Sequence, residues 1–310
     1  MRRSTAVRAA ALTVLAAGVA APLVRRRLRL RPPVVLGAAA AAPLALCVLV
    51  PRSRTRDFFT CLLQMLAYVT AYKMPYDDPE ALVRRVKVTY PVKIDRLLGG
   101  GVTPTLWLQR ALGTPGSFTA WEKLLVWSHW VWFAFPHGTV LYLILRHPER
   151  VNRGASRIYA TFDIGLLGYW LIPTAPPWYA AAEGHMEDGG TPELRRMMVE
   201  YGEQFWRSGW APLYGVLGGN PLAAMPSLHF ATSVQAAHVL AETGTLQRLL
   251  GWAYTATLGT ALVYLGEHYV VDLLAGLALA ESVRAGAPAA EPVARGFSRA
   301  VQAIEAVARA

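Results

Sequence analysis

Apolar residues are gathered into eight runs along the chain, and polar or charged segments separate them. Several runs approach the roughly 20 residues that a helix needs to cross about 30 Å of hydrocarbon, and flanking aromatic residues extend the shorter ones. The pattern therefore predicts an all-α polytopic integral membrane protein with eight spans. The runs are residues 6–24, 33–50, 58–72, 121–145, 158–173, 224–241, 249–266 and 268–283.

The charged segments predict the orientation of the chain. Residues 146–157, RHPERVNRGASR, form a short arginine-rich loop, and such loops lie on the cytoplasmic side. The span that follows then runs outward, so residues 174–223 lie outside. The cluster RRRLRLR at 25–31 breaks the charge rule, because an eight-span arrangement puts it outside as well.

Two long segments do not belong to the runs. Residues 73–120 carry mixed charges, and residues 176–220 are rich in aromatic side chains. Helices that lie flat on the outer surface suit both compositions, with the aromatic rings at headgroup depth. We therefore predict interfacial helices in these segments.

The overall composition indicates a bilayer as the solvent. Hydrophobic residues make up 54% of the 310 residues and charged residues only 16%, which is unusual for a soluble domain. The net charge of +11 does not indicate a nucleic-acid partner, because the arginines lie at the edges of apolar runs and form no aromatic-interleaved patch. The expected partners are the membrane and a lipid substrate.

Two further features limit the possibilities. Cys47 and Cys61 both fall inside apolar runs, so we expect packing residues and no disulfide framework or cysteine metal site. The first run is long for a signal core and ends in arginines instead of a small-residue cleavage site. It is therefore predicted to be retained.

One apolar run opens with the motif NPLAAMPSLHFATS at 220–233. Its histidine, His229, stands behind Pro226 and Ser227. Proline suits the first turn of a helix, and the N–H groups that a helix start leaves free attract anions. An anion held there would lie beside a proton donor.

A second motif, GEHYVVDLLAG at 266–276, follows about forty residues later. It sets Asp272 four residues after His268, one turn away on a shared helical face. The carboxylate is expected to fix one imidazole tautomer and to raise the basicity of the other nitrogen.

Together these side chains predict a phosphoryl-transfer site without cofactor or metal. His268 attacks phosphorus, Asp272 stabilises the imidazolium that forms, and His229 protonates the leaving oxygen. The phosphohistidine then passes its group to water or an alcohol. Two other interpretations stay open: Asp272 and His268 only join two helices, or the three side chains bind a metal, although no further carboxylate cluster or HExxH motif is present.

The other histidines are expected at headgroup depth, in loops or in the core. Glu267 is expected to tune the pKa of its neighbour or to cap a helix. These remaining histidines are His129, His137, His147, His185 and His238.

The order P-S-x-H and then H-x-x-x-D resembles the second and third signature motifs of the type 2 phosphatidic acid phosphatase superfamily. AAMPSLH, HYVVD and YWLIPTAPPW at 169–178 are similar to the branch that contains fungal inositol phosphorylceramide synthases. The resemblance implies His268 as nucleophile, Asp272 as its partner and His229 as acid. It also implies a six-helix core.

The core corresponds to residues 58–283, which gives three predicted regions. Residues 1–57 form an extra transmembrane hairpin, 58–283 the catalytic domain, and 284–310 an Ala-rich cytoplasmic tail.

The chain departs from the hydrolytic members of this group at the phosphate clamp. These have a lysine and an arginine in the first motif and an arginine six residues before the nucleophile. Here that last position is Leu262, residues 163–178 contain no Lys or Arg, and Leu228 replaces the usual glycine of the second motif. The losses fit the synthase branch.

Other groups must then bind the phosphate. We predict that Ser227, with the N–H groups at its helix start, and basic residues of the outer segments do so. The basic residues are Lys87, Lys93, Arg96 and Arg207. The residues predicted to shape the cavity are Tyr169, Thr174, Pro226, Glu267 and Tyr269.

The function expected from these features is that of a multi-pass plasma-membrane enzyme whose active site faces the exterior. It transfers a phosphoryl group or phospho-headgroup, phosphoinositol included, from a lipid to an alcohol or water. One alternative is a polyprenyl phosphate or diphosphate phosphatase. An alternative of another class is a non-catalytic lipid-binding or transport protein, although no paired repeats with broken helices are visible.

Overall fold

The computed structural model describes residues 2–114, 116–186, 194–217 and 219–310, and helices dominate them. These residues form no β-strand and contain only two isolated bridges, both through Thr174. The all-α prediction is confirmed. The helices are α1 (Arg2–Val24), α2 (Pro32–Leu49), α3 (Arg54–Lys73), α4 (Pro79–Arg85), α5 (Thr89–Leu98), α6 (Pro104–Leu112), α7 (Ala120–Val131), α8 (Phe135–Arg146), α9 (Val151–Leu171), α10 (Pro177–Ala182), α11 (Met197–Trp206), α12 (Trp210–Leu217), α13 (Leu228–Ala241), α14 (Thr245–Tyr264) and α15 (Val270–Arg309).

The two segments predicted to be interfacial contain short helices. Residues 73–120 include α4, α5 and α6, and residues 176–220 include α10, α11 and α12. Residues 187–193 and 218 of the second segment lie outside the described residues. None of these helices exceeds 10 residues, which makes each too short to cross a bilayer.

Two helices of the described chain, Arg3–Val24 and Pro32–Leu49, are both long and apolar enough to span a membrane. The predicted run 121–145 is not one helix but two, α7 and α8. The N–H groups of Trp132 and Phe133 donate to carbonyls three residues back, which tightens the chain into 3₁₀ turns. Pro136 then removes a donor at the start of α8.

The chain divides into two compact units. One comprises the residues up to Asp77, Val140–Tyr159 and Val283–Ala310. Within it α1 packs against α2, and a Cβ on Gly18 would lie 2.5 Å from the carbonyl oxygen of Ala38. Glycine therefore permits this close approach of two apolar helices.

The basic cluster at 25–31 links α1 and α2. Arg25 and Arg26 form ion pairs with Asp77 at 2.9 and 2.6 Å. The cluster thus lies beside the start of the predicted outer segment 73–120, and Asp77 offsets part of its charge.

The predicted tail, residues 284–310, continues α15, which is 40 residues long. Its far end is attached to the same unit, since Glu305 pairs with Arg56 at 3.2 Å. Ala308 packs with Ala11 and other small or branched side chains of α1 and α2.

The second unit comprises Asp78–Thr139 and Ala160–Ser282. Polar contacts fix the end of α14 inside it. The Tyr264 hydroxyl donates to Glu122 at 2.9 Å, and Gln109 Nε2 donates to the Tyr264 carbonyl at 2.7 Å. These bonds hold the residues that immediately precede the second histidine motif.

Candidate active site

The first histidine motif forms the start of α13. Ser227 is the N-cap, and its hydroxyl oxygen accepts the Phe230 N–H at 3.3 Å. The Tyr169 hydroxyl donates to the Pro226 carbonyl at 2.9 Å and holds the chain just before the cap. His229 therefore lies in the first turn of α13, as predicted.

The second motif forms the start of α15, but not as predicted. The helix begins at Val270, so His268 precedes it and shares no helical face with Asp272. Asp272 Oδ2 accepts the Tyr269 N–H at 2.9 Å and lies 3.3 Å from His268 Nδ1. The predicted contact between the histidine and the carboxylate is confirmed. It arises from the turn that precedes α15, because the helix begins only after His268.

The two histidines meet directly. His229 Nδ1 lies 3.1 Å from His268 Nε2. An ionised carboxylate only accepts hydrogen bonds, so an ionised Asp272 would favour the His268 tautomer with the proton on Nδ1 and the lone pair on Nε2, facing His229. The expected convergence of the three side chains is confirmed by these distances, and their catalytic roles stay predictions.

The two helix starts are also joined through their backbones. The Ser227 N–H donates to the Asp272 carbonyl at 3.0 Å. A Cβ on Gly276 would lie 2.6 Å from the Ser227 carbonyl oxygen, so glycine is needed for this approach. The register of α13 against α15 is thereby fixed at the level of the two imidazoles.

Asp95, on α5, caps the start of α15. Its two carboxylate oxygens accept the N–H groups of Val270 and Val271 at 2.9 and 3.0 Å. The side chain is fully buried. Burial raises the pKa of this carboxyl, and the two N–H groups act in the opposite direction. The sequence did not single out Asp95, which is one of the charged residues of the segment 73–120.

His129, at the end of α7, lies beside the pair. Its ring centroid is 4.8 Å from that of His229, and it is only 4% exposed. Neither ring nitrogen has a hydrogen-bond partner among the described residues. Trp132 packs on the His229 imidazole, with 4.0 Å between the ring centroids, and its indole N–H donates to Thr232. The sequence offered no motif around His129 that separates it from a core histidine.

The predicted phosphate ligands lie in different surroundings. The N–H and hydroxyl oxygen of Ser227 are engaged within the protein, so the start of α13 offers an anion fewer donors than expected. The Lys87 and Arg207 side chains are exposed. Lys93 and Arg96 line a groove of about 470 Å³ with Leu97, Gly100 and Gly101. Phosphate binding by these residues stays a prediction.

The residues predicted to shape the cavity are partly structural. The backbone of Thr174 bridges Lys87 and Ala223, and its hydroxyl lies 2.9 Å from that of Tyr90. Tyr269 is fully buried in a cluster under α5 and α10. Burial raises the pKa of the Glu267 carboxyl. Among the described residues, no group of three or more His, Cys, Asp or Glu side chains could hold a metal ion.

The chain is similar in sequence to a protein family and to several known proteins. Residues 92–283, more than half of the chain, match the PAP2 superfamily. A phosphoinositol dihydroceramide synthase from Bacteroides thetaiotaomicron is 35% identical over 121 residues, which are 38% of this chain and 39% of the relative. The inositol phosphorylceramide synthase of Candida albicans is 24% identical over 254 residues, 77% of this chain and 50% of the relative.

A third relative is the catalytic subunit of inositol phosphorylceramide synthase from Schizosaccharomyces pombe, 29% identical over 121 residues, 37% of this chain and 28% of the relative. The chain spans half or less of the length of these curated relatives. No solved structure matches it significantly.

These matches confirm the resemblance that the two histidine motifs indicated, including the synthase branch. The family match and the two long apolar helices near the N-terminus confirm the predicted helical membrane fold. The chain belongs to the PAP2 superfamily.

Proposed function

We propose that this protein transfers a phospho-headgroup, phosphoinositol in the first instance, from a glycerophospholipid to the hydroxyl of a ceramide-type lipid. The headgroup and the acceptor are those that the names of its relatives give. The observation that carries the chemistry is the His229–His268–Asp272 chain, with contacts of 3.1 and 3.3 Å.

In the first step His268 Nε2 attacks phosphorus. The new N–P bond replaces the P–O bond to the glycerolipid, and His229 gives its proton to the departing oxygen. Asp272 stabilises the positive imidazole through Nδ1. The 3.1 Å contact between the imidazoles must open to admit the phosphate, so substrate replaces the His229 to His268 contact.

In the second step the acceptor hydroxyl gives its proton to His229 and attacks phosphorus. The N–P bond breaks and the new lipid phosphodiester leaves. The aromatic ring of Trp132 covers one side of His229. Apolar cover of this kind favours a lipid alcohol over water as the acceptor, because it limits hydration of the acid–base residue.

The test is direct reconstitution. The full chain, purified in detergent, is given phosphatidylinositol and a fluorescent ceramide, and the products are separated by chromatography. We expect a fluorescent phosphoinositol lipid and diacylglycerol in equal amounts. Free inositol phosphate without lipid product would indicate a hydrolase, and release of phosphate from a polyprenyl diphosphate alone would support the polyprenyl phosphatase.

The proposed chemistry uses no metal. Activity should therefore survive EDTA, after the chain has been dialysed against the chelator. Loss of turnover that zinc restores would favour the metal-binding alternative.

We further propose that the site faces the exterior of the plasma membrane. Glu183→Cys and Asn152→Cys, each in a chain whose own two cysteines are replaced by alanine, test this in intact cells. Both positions are exposed. An impermeant thiol reagent should label position 183 and spare position 152, and the reverse pattern would invert the topology.

A further inference from the structure

A polar network holds residues 194–196 against the end of α14. Gln109 Nε2 donates to the carbonyls of Tyr264 at 2.7 Å and Arg195 at 3.1 Å. The Arg195 N–H donates back to Gln109 Oε1 at 2.8 Å. The position of residue 196 is therefore tied to the end of the helix that leads into the second histidine motif.

The turn that follows α14 contacts Leu194 and Trp178. Gly266 has a φ of +76° and a Cβ there would lie 2.8 Å from Leu194 Cδ2, so the turn needs glycine both for its conformation and for space. The carbonyl of Gly266 accepts the Trp178 N–H at 3.1 Å. Trp178 is thus attached two residues before His268.

Arg196 lies flat on this tryptophan. Its guanidinium carbon is 3.6 Å from the Trp178 ring centroid, and Nη2 donates to the Tyr214 hydroxyl at 2.7 Å. Its Nε is buried and has no acceptor among the described residues. A planar guanidinium held by stacking and one hydrogen bond keeps the rest of its donor fork for a ligand.

Arg196 interacts electrostatically with a carboxylate that neighbours His268, but forms no salt bridge with it. Glu267 lies next to His268, and both Arg196 and His268 act electrostatically on it, against the burial that raises its pKa. No ion pair within 4.0 Å joins Arg196 to Glu267 in the described chain. The neighbourhood of His268 therefore contains an oriented cation that has no salt-bridge partner among the described residues.

We propose that Arg196, held on Trp178, binds the phosphate oxygens of the lipid donor beside His268. It would take the place of the lysine and arginines that the hydrolytic relatives carry in their motifs. A phosphoryl-transfer transition state needs such donors at its equatorial oxygens, and a preoriented fork supplies two at once. The inference rests on the proposed function, because it assumes that phosphate is the reacting group.

The test separates binding from turnover. Wild type, Arg196→Gln, Arg196→Lys and Arg84→Gln are compared as full chains in detergent. Arg84 is an exposed arginine paired only loosely with Glu80, at 3.9 Å, and serves as the matched control. Binding of inorganic phosphate is followed by ³¹P line broadening, and kcat/KM is measured with phosphatidylinositol and ceramide.

We expect Arg196→Gln to lower kcat/KM by about 100-fold, as the loss of an oriented donor typically does. It should also lower the phosphate affinity by about 10-fold. Arg84→Gln should change neither quantity. Arg196→Lys, which keeps the charge but loses the fork, should lose about 10-fold in kcat/KM, and it decides the matter if the Gln variant does not fold. Phosphate binding that is absent in wild type, or equal in the Arg196 variants and the control, overturns the inference. Arg196-dependent phosphate binding without lipid turnover would support it and refute the proposed function instead.

Discussion

The starts of α13 and α15 each present one histidine to the same point, but they are held by different means. The start of α13 is capped locally, because Ser227 accepts an N–H only three residues ahead. The start of α15 is capped by Asp95, which comes 175 residues earlier in the chain than Val270. The side-chain cap of α13 is therefore local, whereas α15 combines a local bond from the Tyr269 N–H to Asp272 with the long-range cap from Asp95.

The difference bears on how the site is assembled. A local cap places His229 as soon as α13 forms. His268 stands before its helix, so its position depends on whether α5 has packed against the α15 N-terminus. We therefore expect the segment that contains α5 to affect turnover through the position of the predicted nucleophile.

The largest expected effect distinguishes the two histidines themselves. His268→Ala removes the nucleophile and should lower kcat by at least about 10⁴-fold with every donor. His229→Ala removes the acid and should cost about 10²–10⁴-fold with poor leaving groups but much less with an activated phosphate ester. Turnover with phosphatidylinositol and with a nitrophenyl phosphodiester measures both.

The matched control is His238→Gln, on the same helix as His229 but bonded to Glu281. It should leave turnover unchanged. Equal sensitivity of the two catalytic variants to the leaving group would contradict the assignment of nucleophile and acid.

The second effect compares the two caps. Ser227→Ala should cost about 1 kcal/mol of stability, a usual value for a helix cap. Asp95→Ala leaves two buried N–H groups without acceptors and should cost about 2–4 kcal/mol, with a larger fall in kcat because His268 loses its support. Denaturant titration in detergent and steady-state turnover provide the two readouts.

Asp78→Ala is the control for this pair, since Asp78 caps the exposed start of α4. It should cost about 1 kcal/mol and leave kcat unchanged. A smaller loss of kcat in Asp95→Ala than in Ser227→Ala would refute the dependence of His268 on α5.

The same contrast explains what the sequence revealed. The Pro226–Ser227 pair predicted a helix start beside His229, and α13 does begin at Leu228, although Pro226 lies just before the first turn and Ser227 is the cap. The contact of His268 with Asp272 was predicted from helical spacing and is present, but it arises from a turn, since the sequence did not show where α15 begins. Asp95 could not be recognised, because an aspartate that caps a distant helix is indistinguishable in sequence from an exposed one.

Longer-range contacts limit the prediction of the remaining site as well. His129 lies next to His229 in the last turn of α7, and the break between α7 and α8 was hidden inside one apolar run. Arg196 was one of many basic residues outside the spans until its stacking on Trp178 set it apart. Residue type and local spacing identified the chemistry, whereas the supporting groups required the packed structure.

A smaller effect concerns His129, whose imidazole packs beside that of His229 at the start of α13. His129→Phe keeps the ring packing on His229 and removes its two nitrogens. We expect about a 10-fold lower kcat with phosphatidylinositol, a fraction of the full acid contribution, and little change with the nitrophenyl ester. Such a split identifies a positioning residue that acts through His229, whereas equal losses with both donors would indicate packing alone.

The smallest effect is the pH dependence of the Asp95 cap. Burial raises the pKa of this carboxyl above its ordinary 3.8, against the N–H groups of Val271 and Val270, and the nearby Asp272 raises it further. The folded state then holds the proton more tightly than the unfolded state. The stability that this proton contributes is complete below pH 3.8 and is lost as the pH rises through the folded-state pKa.

The advantage of wild type over Asp95→Asn should therefore shrink as the pH rises through that window, by no more than about 1.4 kcal/mol for each pH unit. The difference between wild type and Ser227→Ala should stay flat, because a serine cap does not titrate. Free energies of unfolding at a series of pH values in one detergent provide the comparison. A growing wild-type advantage with rising pH would mean that the two capping N–H groups outweigh burial, and that the ionised carboxylate is the form that α15 selects.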